Sequence, residues 1–351
     1  MFPIPPSRGL YDAPFVMQIA PLFDNLLRRT PLGDTALRCL HYLLPRNRLG
    51  DAIFSYIKFL AKHRRLPHPS KPLTFNDHLL RLKVSGELYD PLRQLISDKI
   101  LVKDYIHGIL GPGFTPRTLA ILSTSAEIAA FTPSCPCVIK SSHAGNRLMI
   151  CKQASLLDLD KSTLTEYIKH DYYKTGRQAN YRYLKKRLIV EELLCEDDGS
   201  LPHDFKFHCF YGEPQMIEVH SDRVGNHTQN FYSVDWQTIP VYKQFPPGKV
   251  ARRPTKLDEM IEVARRLSAP FSFIRVDMYL VGGGIYVGEL TNVPGDASLP
   301  LYPRSFEFIL APLFMGVPMD QVAQRWARPD VGQAIGVFGT EAVDTASPRM
   351  G

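Results

Sequence analysis

Arg275, Asp277 and Glu289 are the residues whose types and spacing point most directly to chemistry. The first two lie in Phe273-Ile274-Arg275-Val276-Asp277-Met278-Tyr279. A Gly282-Gly283-Gly284 turn joins this run to Tyr286-Val287-Gly288-Glu289-Leu290-Thr291. The pattern predicts a β-hairpin. Period-two alternation puts Arg275, Asp277 and Tyr279 on one face and Ile274, Val276 and Met278 on the other, and the glycines suit a turn that needs positive φ. With the turn centred near Gly283, Asp277 and Glu289 face each other across the strands. Opposed β-carbons lie roughly 4.5–5.5 Å apart, and like charges so placed destabilise a sheet. A divalent cation would turn that repulsion into binding. Two hard carboxylates with an arginine one step along the strand point to magnesium serving a phosphorylated substrate. The competing reading is a solvated hairpin face with ordinary surface charges.

Three more groups carry chemical potential. Val138-Ile139-Lys140-Ser141-Ser142-His143-Ala144-Gly145-Asn146 ends a strand at a lysine and continues as a loop of small residues. Such residues let backbone N–H groups approach an anion, and the lysine supplies a point charge. No G-x-x-x-x-G-K-S/T motif is present and a strand follows, so this is no Walker A loop; an ordinary hairpin loop is the alternative. Arg187-Leu188-Ile189-Val190-Glu191-Glu192-Leu193-Leu194 is an apolar strand ending in acids, suited to an adenine edge or simply to a solvated strand end. In His203-Asp204-Phe205-Lys206-Phe207-His208-Cys209-Phe210, alternation sets Asp204, Lys206 and His208 on one face and Phe205, Phe207 and Cys209 in the core. A mid-strand lysine is costly to bury alone. Asp204 is one partner for it, and a phosphate in the same cleft would be a better one. Asp222-Arg223, Asn226 and Asn230 add polar groups to a downstream loop, and Pro294-Gly295 makes a turn beside the proposed metal where a second substrate would dock.

The elements that position these groups are mixed. Up to about residue 95 the pattern is helical, with Leu37, Leu40, Leu43 and Leu44 at helical spacing, and likewise Ile53, Ile57 and Leu60. Arg64–Pro72 holds three prolines and reads as an extended connector. Thr74 is expected to cap a helix through Phe75, Leu79, Leu80 and Leu82, with Asn76 and Asp77 in its first turn. The basic amphipathic stretch Asp51–Arg65 fits either a membrane surface or, more commonly, a solvated face. From about Ser97 strands and helices alternate. Strands are expected at Cys137–Lys140, Arg147–Lys152, Arg187–Leu194 and Phe205–Phe210, and helix around Leu164–Ile168. Thr255 is expected to cap a helix with Leu257, Met260, Ile261, Ala264 and Leu267 in one stripe. The tail from about Val337 has the composition of a disordered segment.

Composition sets outer bounds. The 351 residues, 44% hydrophobic and 22% charged, suit a soluble protein of two or three packed units. No run approaches the roughly 20 apolar residues of a membrane span, and the amino terminus lacks a signal-peptide pattern. Six cysteines without C-x-x-C spacing speak against zinc and for reduced thiols, so a cytoplasmic location is expected. The net charge of +7 points to an anionic partner. The basic residues match no nucleic-acid recognition module; a nucleoside triphosphate and an acidic substrate account for them as well.

In order along the chain, the lysine strand, loop, acidic strand, second lysine strand and carboxylate hairpin resemble the ATP-grasp superfamily. There nucleotide lies between two α+β lobes. Arg275-Val276-Asp277 with Glu289-Leu290-Thr291-Asn292-Val293-Pro294-Gly295 resembles the metal-binding end of D-alanine–D-alanine ligases. Asp204-Phe205-Lys206 followed by Asp222-Arg223 is similar to the D-I/F-R/K strand of glutamate ligases that modify ribosomal proteins. Pro72-Leu73-Thr74-Phe75-Asn76, Ser97-Asp98-Lys99 with Asp104-Tyr105, Val138-Ile139-Lys140 with His143, Asp204-Phe205-Lys206-Phe207, and Phe231-Tyr232 with Asp235-Trp236 look like the teichuronopeptide-biosynthesis (TupA-like) ATP-grasp proteins.

The resemblance implies an α+β ATP-grasp fold preceded by a mainly helical region at 1–95. The first lobe, with the phosphate loop, would span 96–190, the second, with the metal hairpin, 191–336, and the tail 337–351. It implies ATP and Mg2+. Lys140 would contact the α- or β-phosphate, and the loop of Ser141, Ser142, His143, Gly145 and Asn146 would close over the phosphates. Glu191, Glu192, Leu193 and Leu194 would hold adenine, with Asp204 near the ribose. Lys206 and Arg223 would face the β/γ-phosphates or the reacting acyl group, and Arg275 would stabilise an oxyanion. Asp277 and Glu289 would bind magnesium. The ligase pattern usually has asparagine two residues after the glutamate. Here that position is Thr291, while Asn292 alternates to the other face unless a bulge turns it inward; both are candidates to complete the shell. Pro294, Gly295 and Arg223 are candidates for substrate contact. The implied activity is carboxylate–amine ligation through an acyl phosphate, joining an amino acid to a uronic acid, a surface polysaccharide precursor or a peptide-like metabolite. A phosphotransferase on the same fold and a non-enzymatic anion or nucleic-acid binder are the rival readings.

Overall fold

The computed structural model describes residues 43–68, 70–145, 147–152 and 159–326. Leu37, Leu40, Asn146 and the tail from Val337 lie outside the described residues. Helix α1 (Arg48–His63) starts at Asn47, whose side chain accepts from the Gly50 N–H, and ends with Arg64 at a φ of 57°. Its Phe54, Phe59 and Leu60 are buried. The apolar face of this amphipathic helix is therefore covered by protein, not offered to a membrane. Helix α2 (Phe75–Val84) begins as the sequence predicts. The Thr74 side chain accepts from Asp77 N while Asp77 bonds back to the cap, a capping box. Helices α3 (Pro91–Leu95) and α4 (Leu101–Leu110) follow.

Two antiparallel sheets make up the rest. The smaller combines β1 (Thr118–Leu122), β2 (Cys137–Ser141), β3 (Leu148–Cys151) and β4 (Leu188–Glu192) in the order β1-β4-β2-β3. β2 and β3 are hairpin partners, with Lys140 opposite Leu148. Helices α5 (Ser125–Ala130) and α6 (Lys161–Lys169) bury Ile128, Leu164 and Ile168 against Ile139, Leu188 and Val190 of this sheet. A short helix α7 (Tyr172–Gly176) follows.

The larger sheet combines β5 (Asp204–Phe210), β6 (Glu213–Ser221), β7 (Thr228–Ser233), β8 (Thr238–Ile239), β9 (Phe273–Val281) and β10 (Gly284–Thr291), in the order β10-β9-β5-β6-β7-β8. Alternation holds along β5 and β9. Phe205, Phe207, Cys209, Ile217, Ile274, Val276 and Met278 pack against Leu257, Met260, Ala264 and Leu267 of helix α8 (Leu257–Ser268). Each such side chain contributes roughly 1.5–3 kcal/mol of burial. Thr255 does not cap α8. Lys256 holds the N-cap position without a side-chain bond, and the chain enters the helix through a Leu257 N–H to Pro254 C=O bond.

A further core joins α1 and α2 to the chain after β10. Phe59, Leu79 and Leu80 meet Val293, Ala297, Phe306 and Leu310, with α9 (Phe306–Ile309) and α10 (Met319–Trp326) closing that side. The first helices thus buttress the segment that leaves the carboxylate hairpin.

Candidate active site

The β9–β10 hairpin is built by two local devices. Gly282 and Gly283 have φ of 56° and 74°, so they form a two-residue turn with both centres left-handed, which pairs Gly284 with Val281 and Tyr286 with Tyr279. In that register Val287 meets Met278 on the core face, and simple alternation would send Glu289 into the core as well. The register shifts between Val287 and Glu289. Gly288 is the extra residue of a bulge, at a place where a Cβ would come 2.8 Å from the Tyr279 ring. The bulge returns Glu289 to the side of Asp277, its register partner, and sets Thr291 opposite Arg275.

A row of charges then crosses the larger sheet: Glu289 on β10, Asp277 on β9, Lys206 on β5 and Glu218 on β6 are successive register partners. All four line a cleft of about 770 Å³, towards the upper end of the roughly 300–1,000 Å³ usual for small-molecule sites. Asp277 is buried. It accepts from Arg275 Nε and Nη2 at 2.7 Å each and from Lys206 Nζ at 2.7 Å. Burial opposes its charge, but Arg275 and Lys206 outweigh that and hold its carboxyl below the ordinary range. Lys206 Nζ also reaches Asp204 Oδ2 at 2.8 Å, which Arg223 Nη1 approaches at 3.2 Å. Burial works against the Lys206 ammonium too, yet Asp204 and Asp277 raise its pKa.

These contacts correct one expectation. The hairpin does not need a cation to relieve repulsion, because protein cations already meet the charge of Asp277. Glu289 differs: among the described residues it has no hydrogen bond or ion pair, and it faces the cleft. No group of three or more His, Cys, Asp or Glu among the described residues could hold a metal. A two-carboxylate site suits magnesium, which keeps waters and takes substrate phosphate oxygens as its remaining ligands. Thr291 lines the cleft, its Oγ1 accepting from Arg275 Nη2 at 3.1 Å. Asn292 is turned the other way. It is buried, accepts from Arg93 Nη1 at 2.9 Å and donates to Ser97 Oγ at 3.1 Å, so it is not available to a metal in the cleft. The bulge lies before Glu289 and leaves the alternation beyond it intact.

Across the cleft, β2 presents Lys140. Glu191 sits beneath it, accepting from Lys140 Nζ at 2.7 Å and facing Lys103 Nζ at 2.6 Å. Burial opposes the Lys140 charge, but Glu191 raises its pKa. Glu191 itself does not line the cleft, so it orients Lys140 instead of meeting adenine; Glu192, Leu193 and Leu194 do line it. The loop after β2 departs further from expectation. Ser141, Ser142 and His143 are buried behind the surface. Ser142 Oγ donates to Lys185 C=O at 3.4 Å, and His143 Nε2 bonds His170 C=O at 2.9 Å. The loop offers Ala144, Gly145 and Arg147 to the cleft, braced by a Lys99 Nζ bond to Ala144 C=O at 2.9 Å. Of the Pro-Gly turn, Gly295 lines the cleft at a φ of 59°, while Pro294 is buried out of it.

Sequence pattern alone does not point to several other cleft residues. Lys58 of α1 pairs with Asp296 at 2.6 Å, and the buried Lys83 meets the same carboxylate at 2.6 Å. Lys58 was readable only as part of a basic helix face, and Asp296 depends on an unforeseen left-handed backbone, φ 57°. Glu218 and His220 of β6 were visible as same-face residues by period two, but no motif joined them to the second lysine strand.

Several solved structures are similar in part. A D-alanine–D-alanine ligase from Bacillus anthracis complexed with ATP is 14% identical, with 66% of this chain and 64% of that one covered and a TM-score of 0.38. An N5-carboxyaminoimidazole ribonucleotide synthetase in its ADP complex is 14% identical over 59% of this chain and 47% of that one, TM-score 0.35. The ATP-grasp ligase PsnB complexed with a minimal precursor is 13% identical over 62% and 59%, TM-score 0.35. The chain therefore spans less than two thirds of the length of each of these. No curated protein matches. Residues 80–315, two antiparallel sheets flanking a charged cleft, match the model of the TupA-like ATP-grasp family, and the chain belongs to that family.

Proposed function

We propose that this protein is an ATP- and magnesium-dependent carboxylate–amine ligase that works through an acyl phosphate. One observation carries the reading. Lys140 and Lys206, from facing sheets, line the same cleft as Arg275 and Glu289, which has no ion pair among the described residues, and Tyr279 lies within electrostatic reach of both lysines. Adenine would lie against Glu192, Leu193 and Leu194, with the ribose near Asp204. Lys140 and the Ala144–Gly145 backbone would take the inner phosphates, and Lys206 with Arg223 the outer ones. Magnesium, held by Glu289 and Asp277 with Thr291 beside them, would offset negative charge on the phosphates.

A carboxylate oxygen of the acid attacks the γ-phosphorus, the bond to ADP breaks, and an acyl phosphate forms. The amine then bonds to the acyl carbon and phosphate leaves. Arg275 aims N–H donors at the cleft where an oxyanion would develop. Its firm pairing with Asp277 fixes that aim in advance. Covering the acyl phosphate matters because water would hydrolyse it. For substrates we propose an amino acid with a uronic acid, a surface polysaccharide precursor or a peptide-like metabolite, a choice resting on the family. A cytoplasmic site of action follows from the need for ATP; no helix among the described residues is long and apolar enough to cross a membrane.

Hydroxylamine trapping tests the reading. With ATP, magnesium and a panel of uronic and amino acids, hydroxamate from one acid identifies the activated carboxylate. ATP turnover yielding a stable phosphorylated product and no hydroxamate would instead indicate a phosphotransferase. Anion binding that survives Glu289→Gln, with no turnover, would indicate a non-enzymatic binder.

A further inference from the structure

On the flank of Lys206 away from the hairpin, the cleft holds a hydrogen-bonded chain that phosphoryl transfer does not use. His227 Nε2 and His220 Nδ1 lie 2.7 Å apart, and His220 Nε2 lies 2.7 Å from Glu218 Oε1. Glu218 is buried and also receives Lys243 Nζ at 2.6 Å and His208 Nε2 at 2.9 Å. Burial opposes its charge, but Lys243 and the two histidines hold its carboxyl well below the ordinary range.

An ionised carboxylate only accepts, and that fixes the proton on the nitrogen facing it. His220 carries its hydrogen on Nε2 and donates to Glu218. With a single ring proton, His220 presents a lone pair at Nδ1 and His227 donates from Nε2. What remains is a lone pair on His227 Nδ1, which has no hydrogen-bond partner among the described residues. The His227 ring stacks on Phe245, centroids 3.5 Å apart at 21°, which holds its direction without occupying either nitrogen. Both histidines line the cleft. Asp204 and His220 are register partners, as are Lys206 and Glu218, so the chain of bonds adjoins Lys206, assigned above to the outer phosphates.

Building on the ligase reading, we propose that His227 Nδ1 is the base that frees the incoming amine, with His220 and Glu218 as positioning residues. Ligation needs such a group. Amines with pKa of about 8 to 10 are largely protonated near neutrality, and an ammonium has no lone pair with which to attack. His227 takes one proton from the ammonium and the freed nitrogen bonds to the acyl carbon. A second N–H proton departs with the phosphate as the carbon–oxygen bond breaks, and His227 returns its proton to water. The charged and titratable groups acting on His227 are His220 from β6, Arg223 from the preceding loop, and Asp204 and Lys206 from β5. Burial, His220 and Arg223 lower its pKa against the pull of Asp204, so the imidazole is neutral and able to accept near pH 7.

The test compares two nucleophiles. Hydroxylamine is a free base at neutral pH and needs no deprotonation, whereas L-alanine and L-lysine do. The acid is whichever of D-glucuronate, D-galacturonate, L-glutamate and L-aspartate gives most hydroxamate with the unaltered protein. His227→Gln should slow amide formation at pH 7 by about 10²-fold or more and leave hydroxamate formation within about twofold of the unaltered protein. Raising the pH, which frees the amine, should recover most of the loss. Equal loss with both nucleophiles, or no loss with either, would overturn the assignment. Hydroxamate from none of the acids would overturn the ligase reading and the base with it. A substrate-free check is 15N NMR of the imidazoles: Nδ1 of His227 should be unprotonated at pH 7, and a protonated Nδ1 would refute the chain of bonds by itself.

Discussion

The two walls of the cleft present their charges in different ways. On the six-stranded sheet, Glu289, Asp277, Lys206 and Glu218 stand in one cross-strand row, each aimed by a strand whose other face is core. On the four-stranded sheet Lys140 of β2 and Glu192 at the end of β4 are the strand charges that line the cleft among the described residues. The loop beyond it buries Ser141, Ser142 and His143 and shows the cleft Ala144, Gly145 and Arg147. A strand fixes side-chain direction through its pleat, because a slip by one residue would put charge into the core. A loop has no such constraint, and its polar side chains satisfy whichever backbone groups lie nearest.

That contrast can be broken or sharpened by substitution. The largest effect is expected at Asp277, whose carboxylate meets Arg275 and Lys206. Asp277→Asn should cut ATP turnover by about 10²–10³-fold and, by leaving buried cations short of a partner, cost about 3–5 kcal/mol in urea unfolding. Glu289→Gln removes the register partner of Asp277, which has no ion pair among the described residues. Turnover should fall by a similar ~10²–10³-fold, with stability changed by no more than about 0.5 kcal/mol. If both variants lose stability alike, the row does not divide its labour in this way.

Acid offers a third probe of the larger sheet. Burial lowers the pKa of His208 to about 4, although Glu218 favours its charge. The unfolded chain takes up that proton near pH 6.5. Stability is therefore whole above about pH 6.5 and falls as the pH drops towards about 4, by up to about 3 kcal/mol. Urea midpoints between pH 7 and 4 measure this, and His208→Gln should flatten the slope. The smallest effects belong to the loop wall. Arg147→Ala should weaken ATP binding about tenfold, while Ser142→Ala, whose hydroxyl bonds Lys185 C=O behind the loop, should leave it within about twofold. Calorimetric titration of ATP separates the two; a stronger effect from Ser142 would mean that the loop closes over the phosphates as the family resemblance implied.

Much of the larger sheet was legible in the sequence because period two is a strong signal where one face is core. Asp204 and Lys206 emerged from it, and Arg275 with Asp277. The opposition of Glu289 and Asp277 was legible only in outcome. A turn centred on Gly283 gives the right pair, whereas the structure reaches it through a tighter Gly282-Gly283 turn corrected by the Gly288 bulge. Asn292 illustrates the same rule from the other side, since alternation sends it to Arg93 and Ser97. Contacts between distant segments were not legible. Lys58 and Lys83 meet Asp296 across more than 200 residues of chain, and nothing in local periodicity reports which helix packs over which turn. The Thr74 capping box was readable because it is local; the N-terminus of α8 was not, since a backbone bond does the capping there.

A structure with magnesium and a non-hydrolysable ATP analogue would decide most directly whether the cleft is a nucleotide site. The phosphates should lie between Lys140 and Lys206, with the cation on Glu289 and adenine against Leu193 and Leu194. Nucleotide bound outside the cleft, or a cation coordinated without Glu289, would contradict the assignment.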